Sequence, residues 1–206
     1  AAQIAISGDI RRFTLPQFAA NPQDTNSKTG LGIAVDAFLP IIPGTKDKRS
    51  NSLSLVGEFV SGQGINDLYV GLVGGVSNPP LPAQPGMSPP TFVSGVDPGL
   101  AVYDKNGELR LPHWMTFIVG LEYYPPRIGD HLGLFANFSR SQLLESDMYV
   151  SPAKVRDTET FYNAGFFVDI TQAIRVGADW AYFDDLYADG VHATTHAVQG
   201  VGFFFF

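Results

Sequence analysis

Residues Ile174-Arg-Val-Gly-Ala-Asp-Trp-Ala-Tyr-Phe183 alternate between two kinds of side chain. Isoleucine, valine, alanine, tryptophan and tyrosine hold the even positions, while arginine, glycine and aspartate fall among the odd ones. A period of two places the two sets on opposite sides of a β-strand. The same alternation occurs at 30–39, 52–60, 67–76, 114–124, 132–139, 160–169 and, less clearly, 196–206. With a further strand at 2–7 and a weaker one at 10–18, the sequence predicts an all-β antiparallel meander of about eight to ten strands.

Composition limits the partners of this chain. It has 13 Lys and Arg against 20 Asp and Glu, a net charge of −7, and the acidic residues are scattered. Nucleic-acid binding would need a clustered basic face, so we expect no such partner. The chain has no cysteine, which excludes a disulfide framework and a thiolate site. No phosphate-binding loop or dinucleotide fingerprint occurs, and we expect no cofactor.

The composition of the chain is that expected of β-strands with one face toward lipid and the other toward water. Aromatic residues make up 13% and charged residues only 16%, whereas a soluble domain carries about 25% charged residues. No run of 18 or more apolar residues occurs, so no membrane-spanning helix is expected. The chain starts at Ala1 without a signal peptide, and we expect either processing or further strands upstream.

The predicted connections alternate in length. Counted back from the C-terminus, 170–173, 125–131 and 61–66 are short, while 184–195, 140–159, 77–113 and 40–51 are long. Transmembrane β-barrels have this pattern, with short turns at the periplasmic rim and long loops at the outer rim. One connection, 8–29, is too long for a periplasmic turn.

The longest connection, 77–113, is rich in proline, which cannot donate to a sheet, so no strand is expected there. Two interpretations remain open. It forms either a flexible outer loop or a loop folded into the lumen, as its apolar residues Phe92, Val93, Leu100 and Val102 favour.

The chain ends in Val201-Gly-Phe-Phe-Phe-Phe206. A terminal Phe after alternating apolar residues is typical of the last strand of an outer-membrane barrel, where it serves as a signal to the barrel-insertion machinery. Phe204 and Phe206 are the expected signal residues, with their side chains toward lipid. A buried strand of a soluble core is the alternative for this stretch.

Several stretches resemble a family of largely uncharacterised bacterial outer-membrane porin-like proteins. They are Gly8-Asp-Ile-Arg-Arg-Phe13, Asn51-Ser-Leu-Ser-Leu-Val-Gly-Glu-Phe59 with Ile65-Asn-Asp-Leu-Tyr69, Gly120-Leu-Glu-Tyr-Tyr124, Ala181-Tyr-Phe-Asp184 and Tyr187-Ala-Asp-Gly-Val-His192. The resemblance implies that residues 1–206 form one domain, the C-terminal portion of a larger porin-type barrel. It implies no substrate and no functional residues.

The less apolar positions of the strands are expected to line the pore. These residues are Asp36, Glu58, Trp114, Glu122, Asn137, Asn163, Asp169, Arg175 and Asp179. Acids outnumber bases among them, which favours a mild preference for cations. The alternative is that these charges are simply hydrated and paired with one another across the barrel.

Other chemistry has little support. His192 and His196 have the spacing of helical zinc ligands but fall at the start of a strand, and Asp184, Asp185 and Asp189 lack the ligand pattern of a calcium loop. A polar outer-rim loop is the simpler interpretation of the latter, with weak bridging of lipopolysaccharide as an alternative. No Gly-x-Ser-x-Gly elbow supports a Ser139, Ser141 and His196 arrangement, so neither a metal site nor an enzyme is expected.

The sequence therefore favours a channel in the outer membrane of a Gram-negative bacterium that passes small hydrophilic solutes or ions by diffusion. The expected partners are outer-membrane lipid, lipopolysaccharide and the insertion machinery, with a homo-oligomer also open. A non-conducting barrel with a structural, adhesive or binding role is the alternative, and a soluble extracellular β-sandwich is a third. Eight to ten strands enclose little more than side chains, so an aqueous channel needs upstream strands or a larger assembly.

Overall fold

The computed structural model describes residues 1–45, 48–68, 75–83 and 85–205. It contains one antiparallel sheet of eight strands, in the order β1-β2-β3-β6-β7-β8-β9-β10, and a separate two-stranded hairpin, β4-β5. The strands are β1 Gln3–Pro16, β2 Thr25–Ile42, β3 Ser52–Gln63, β4 Val102–Tyr103, β5 Leu109–Arg110, β6 His113–Tyr124, β7 Leu132–Leu144, β8 Arg156–Thr171, β9 Ile174–Tyr187 and β10 His192–Phe204. Short 3-10 turns lie at Asn66–Leu68, Ser146–Met148 and Pro152–Lys154.

The all-β antiparallel architecture predicted from period two is confirmed. Each long strand pairs with the next long strand along the chain, as a meander requires. The predicted strands at 2–7 and 10–18 are one continuous strand, β1, because Gly8 and Asp9 pair with Ile33 and Gly32 without a break.

The strand predicted at 67–76 is wrong where the structure describes it. Asn66–Leu68 form a 3-10 turn, and Val76 belongs to no strand but is buried against Trp114 and Leu143 of the sheet. Residues 69–74, including Val70 and Leu72, lie outside the described residues. Strand β3 pairs instead with β6, so the whole interval 64–112 connects two neighbouring strands.

The predicted alternation of short and long connections holds only in part, because 43–51 has nine residues and 188–191 has four. With no strand between β3 and β6, the connections 17–24, 64–112, 145–155 and 188–191 lie at one end of the sheet. The connections 43–51, 125–131 and 172–173 lie at the other. We call these the long-connection end and the short-connection end. The connection predicted as 8–29 thus lies at the long-connection end, and 40–51 moves to the other.

Most strands extend further toward the long-connection end than period two predicted. Strand β8 begins at Arg156 and β9 continues to Tyr187, because polar residues there keep the ladder pairing. As a result Tyr162, Trp180 and Tyr182 lie within their strands, whereas the sequence placed them near strand ends.

Glycines allow side chains of neighbouring strands to lie flat on the sheet. A Cβ atom at Gly133 would lie 2.2 Å from the ring of Phe167, and one at Gly165 would lie 2.6 Å from the ring of Phe135. The two rings therefore cover backbone where a side chain is missing, which is a known way to stabilise strand glycines.

The interval 64–112, which we call the inserted segment, packs against one face of the sheet. One buried cluster joins five residues of this segment to Leu15 of β1; the five are Leu81, Phe92, Ala101, Tyr103 and Leu111. A second cluster joins Val76 and Val102 to Trp114, Leu143, Tyr149 and Val155. The prediction of no sheet in this proline-rich interval is wrong in its proline-free part, since β4 and β5 form a hairpin between Pro98 and Pro112.

Strands β1 and β10 are the two edges of the sheet, and among the described residues each pairs with a single neighbour. The sheet is therefore open. Within the described part of the chain, no helix is long and apolar enough to cross a membrane.

Candidate functional site: the polar face and the inserted segment

The two faces of the sheet differ in chemistry. Strand register places Ile6, Val35 and Phe59 in one row, and the next strand continues the row with Phe117. We call this side the apolar face, and its side chains are well exposed, for example Ile4 at 73% and Phe204 at 71%. The opposite side, which we call the polar face, carries Asp36 and Glu58 in one row.

All nine residues expected to line a pore lie on the polar face. Register connects them strand by strand: Glu58 pairs with Asp36, Asn137 with Asn163, and Asp169 with Arg175. They do not form one ring, because they occupy four different rows along the strands: Asp36 with Glu58, Asn137 with Asn163, Glu122 with Asp179, and Asp169 with Arg175.

Trp114 differs from the other eight. It is on the polar face, but only 1% of the residue is exposed, and it packs against Val102 of the inserted segment and Leu143. Its indole nitrogen is buried and has no hydrogen-bond partner among the described residues. Trp114 therefore supports the inserted segment and does not reach open space, contrary to the expectation that it lines a pore.

Asp36 and Glu58 form a cross-strand pair of like charges. Their Cα atoms are register partners on β2 and β3, and both residues line the same surface cavities. Like charges directly opposite each other destabilise a sheet unless water or a cation lies between them.

Asn137 and Asn163 are also register partners, on β7 and β8. The Asn137 amide donates to the Asn163 side-chain oxygen at 2.7 Å, and Asn137 leans over Gly120, whose Cβ would lie 2.1 Å from Asn137 Oδ1. The two amides thus form an uncharged polar patch at mid-sheet.

At the short-connection end a charged network joins four elements. Arg175 Nε donates to Asp169 Oδ1 at 2.6 Å, and the Arg49 guanidinium contacts the same carboxylate. Arg49 also donates to the Asp130 backbone oxygen at 2.9 Å and lies over the ring of Tyr124. The connection 43–51 is thereby held against β8 and β9.

Asp130 completes this network from the connection 125–131. Its carboxylate accepts from the backbone N–H groups of Ser50 at 3.1 Å and Arg49 at 2.9 Å, and these bonds lower the pKa of Asp130 below its ordinary value. Period two predicts Asp169 and Arg175 as polar-face residues but does not reveal Arg49 and Asp130, since both lie in connections and show no strand period.

The inserted segment is tied to β1 and β2 by polar contacts. Tyr103 is fully buried; its hydroxyl donates to the Pro16 carbonyl at 2.8 Å and accepts from the Asn26 amide at 2.9 Å. Arg11 contacts Asp67 in the same segment. The sheet side chains involved, those of Asn26 and Arg11, are on the polar face, so the segment covers that face near the long-connection end.

The β4–β5 hairpin has its own polar centre at Asp104. Burial raises the pKa of this carboxyl, but hydrogen bonds from the backbone N–H groups of Glu108 and Asn106, together with the Arg110 guanidinium at 3.0 Å, lower it more, and the net shift is downward. A charged Asp104 therefore holds the hairpin turn in place.

The residues considered for metal binding or catalysis are separated. His192 pairs with Asp184 at 2.8 Å, while the His196 ring packs on Tyr182. Ser141 accepts a hydrogen bond from Thr116 on the polar face, whereas His196 lies on the apolar face. Within the described ranges, no group of three or more histidine or acidic side chains is placed to hold a metal ion.

At the C-terminus, Phe204 lies on the apolar face in register with Ile174. Phe203 and Phe205 lie on the other face, and their rings stack 6.3 Å apart. Phe206, the other expected signal residue, is outside the described residues.

Comparison with solved structures shows what this architecture is similar to. The crystal structure of the outer membrane channel DcaP of Acinetobacter baumannii matches it with a TM-score of 0.58 and 14% sequence identity. The match covers 99% of this chain and 54% of that chain, so this chain spans about half the length of the channel. Neither a protein-family model nor a curated protein sequence matches. The chain has the sheet fold of an outer membrane channel.

Proposed function

We propose that this chain forms part of the wall of a bacterial outer-membrane channel and passes small hydrophilic solutes or ions by diffusion. The observation that supports this most strongly is an apolar band that crosses all eight strands on one face. At the short-connection end the band continues to the strand ends, with Ile4, Leu53 and Ile174. At the long-connection end it gives way to Arg12, Arg140, Thr160 and Asp184.

The height of the band fits a bilayer. On β9 it runs from Ile174 to Tyr182, and on β8 from Ile170 to Tyr162. Nine residues of strand at about 3.3 Å each, tilted by about 40°, span about 20–25 Å, close to the apolar height of outer-membrane barrels. The polar ends of the strands then stand in the headgroup region or above it, on the side that carries the inserted segment.

In such a wall the polar face meets water. Asp36, Glu58, Asn137 and Asn163 on that face would be costly in contact with lipid but are hydrated in a lumen. The inserted segment, packed on the same face, narrows the lumen near the outer rim. Edges β1 and β10 need partners, because no backbone donor stays open in lipid. Further strands of the barrel are the partners we propose.

We further propose a mild preference for cations. The three arginines Arg49, Arg175 and Arg156 are paired with three carboxylates, those of Asp169, Glu159 and Asp185, so their charges balance when the two networks are counted together. Asp36 and Asp179 have no ion-pair partner among the described residues. The excess of negative charge on the wall attracts cations.

Planar-bilayer recording tests this function. Stable ohmic steps are expected from the inserted protein, with a reversal potential that favours cations in a salt gradient. The double variant Asp36→Asn with Glu58→Gln should lower that preference, while Asp184→Asn, on the apolar face, should leave it unchanged. A clear anion preference of the unaltered protein would contradict the proposed selectivity.

A second candidate is a non-conducting barrel with a structural, adhesive or binding role. It is favoured by the tight packing of the inserted segment, in which Val102 and Tyr103 are fully buried. Persistent silence from protein shown to be inserted would support this candidate and refute the channel.

A further inference from the structure

Arg140 stands on the apolar face at the point where the band ends on β7. Arg140 is the register partner of Phe117 on one side and Thr160 on the other, and it is exposed. Its neighbour Ser141 is buried on the polar face with Thr116, which fixes Arg140 on the opposite side. No ion-pair partner of Arg140 is found in the described part of the chain.

Below Arg140, toward mid-membrane, the apolar face has a hollow. Ala136 and Ala164 are register partners and form its floor. Larger side chains surround them: Leu121 and Trp180 in the same row, and Phe138 and Tyr162, with ring centroids 4.9 Å apart, in the row nearer Arg140. These residues line one continuous surface groove.

We propose that Arg140 and this hollow form a binding site for a membrane lipid whose phosphate headgroup carries a net negative charge. The guanidinium binds the phosphate, the Thr160 hydroxyl donates to it, and one acyl chain lies over Ala136 and Ala164. This inference rests on the proposed membrane function and adds a specific ligand on the outer wall, away from the lumen.

The spacing matches the shape of such a lipid. Arg140 is four residues from Ala136 along β7, about 13 Å at the rise of a strand. A phosphate at the interface and the middle of an acyl chain are separated by a similar distance. A free phosphate would use Arg140 alone and leave the hollow empty, so the two features together favour a lipid.

The site should prefer this lipid over other membrane lipids because of the contact between Arg140 and the lipid headgroup. Lipid tails are as apolar as the wall, so filling the hollow gains packing but no hydrophobic driving force. A charge-assisted hydrogen bond between a guanidinium and a phosphate is among the stronger contacts available, and it is stronger still next to a low-dielectric layer.

Native mass spectrometry of the full-length protein, released from nanodiscs of equal parts phosphatidylglycerol and phosphatidylcholine, tests the site. We expect retained phosphatidylglycerol to exceed phosphatidylcholine about tenfold, because the quaternary ammonium of phosphatidylcholine balances the charge of its own phosphate. Arg140→Gln should remove the preference, and Ala164→Leu, which fills the hollow, should reduce the amount of lipid retained. Arg12→Gln, which removes another arginine of the apolar face near the same end, should change neither.

Three results would overturn the proposal. They are equal retention of the two lipids, equal loss in Arg140→Gln and Arg12→Gln, and displacement of the lipid by inorganic phosphate at the same concentration. A lipid-free dimer that Ala164→Leu breaks would assign the hollow to a second copy and also overturn it. Failure to enter nanodiscs at all would contradict the proposed membrane function itself, and it is seen before any lipid is measured.

Discussion

The buried hydroxyl of Tyr103 offers a direct way to loosen the inserted segment. Tyr103→Phe keeps the ring among Phe18, Phe92 and Leu15 but removes the bond to the Pro16 carbonyl and the bond from Asn26. At about 1 kcal/mol for each bond, the change should weaken the docking of the segment by about 2 kcal/mol. Its undocked population should rise about thirtyfold.

Hydrogen exchange measures this population, because an amide in the segment exchanges only when the segment opens. The β4–β5 hairpin should exchange about thirtyfold faster in Tyr103→Phe, while the ladder of β7 and β8 should keep its rate. Tyr162→Phe is the matched control, since Tyr162 lies on the apolar face, away from the segment. In bilayer recordings, Tyr103→Phe should also add brief closures or openings to an otherwise steady current.

An unchanged exchange rate for the hairpin in Tyr103→Phe would refute the reasoning, because it would mean that the two hydrogen bonds do not hold the segment. Equal acceleration in Tyr162→Phe would refute it as well, since the effect would then be a general loss of barrel stability.

Two further changes test the sheet and the short-connection end. Gly133→Ala forces a Cβ to within 2.2 Å of the Phe167 ring, so we expect a lower unfolding temperature in detergent from about 1–3 kcal/mol of strain. Gly202→Ala, with nothing within 4 Å, should leave that temperature unchanged, and a loss as large as that of Gly133→Ala would contradict the account. The pKa of Asp130 is lowered from 3.8, so its tie to the turn 43–51 is complete above pH 3.8 and is lost as the pH falls through the lower value. Asp130→Asn should therefore speed hydrogen exchange in that turn at neutral pH but make little difference in strong acid, and an equal effect at both pH values would refute this.

Much of the sheet could be predicted because its two faces meet different surroundings. Alternation at 174–183 and 132–139 marks which side chains share a face, and it limits the register to pairings that keep those faces, while the turns set the rest. Alternation also predicts a strand at 67–76, and there the prediction is wrong because a turn can show the same alternation over a few residues. Its Leu68 follows period two, but Asn66–Leu68 turn, and Ile65 packs against Gly62.

The candidate site was predicted only in part, because its contacts join residues far apart in sequence. Asp36 and Glu58 follow from period two alone. The link from Arg49 to Asp169 depends on how a connection folds, and the burial of Trp114 depends on where the inserted segment packs. Period two predicts that β7 ends at residue 139, whereas the strand continues to Leu144. The position of Arg140 on the apolar face therefore follows from the structure and not from the sequence pattern.

The central claim is that one face of the sheet meets lipid and the other meets water. The chain has no cysteine, so single cysteines can be placed in β8, from Tyr162→Cys through Val168→Cys, and labelled with a nitroxide. In bilayers, accessibility to oxygen should peak at the even positions, and accessibility to a water-soluble nickel complex should peak at the odd positions. Accessibility without a period of two, or with the two probes exchanged, would contradict the account.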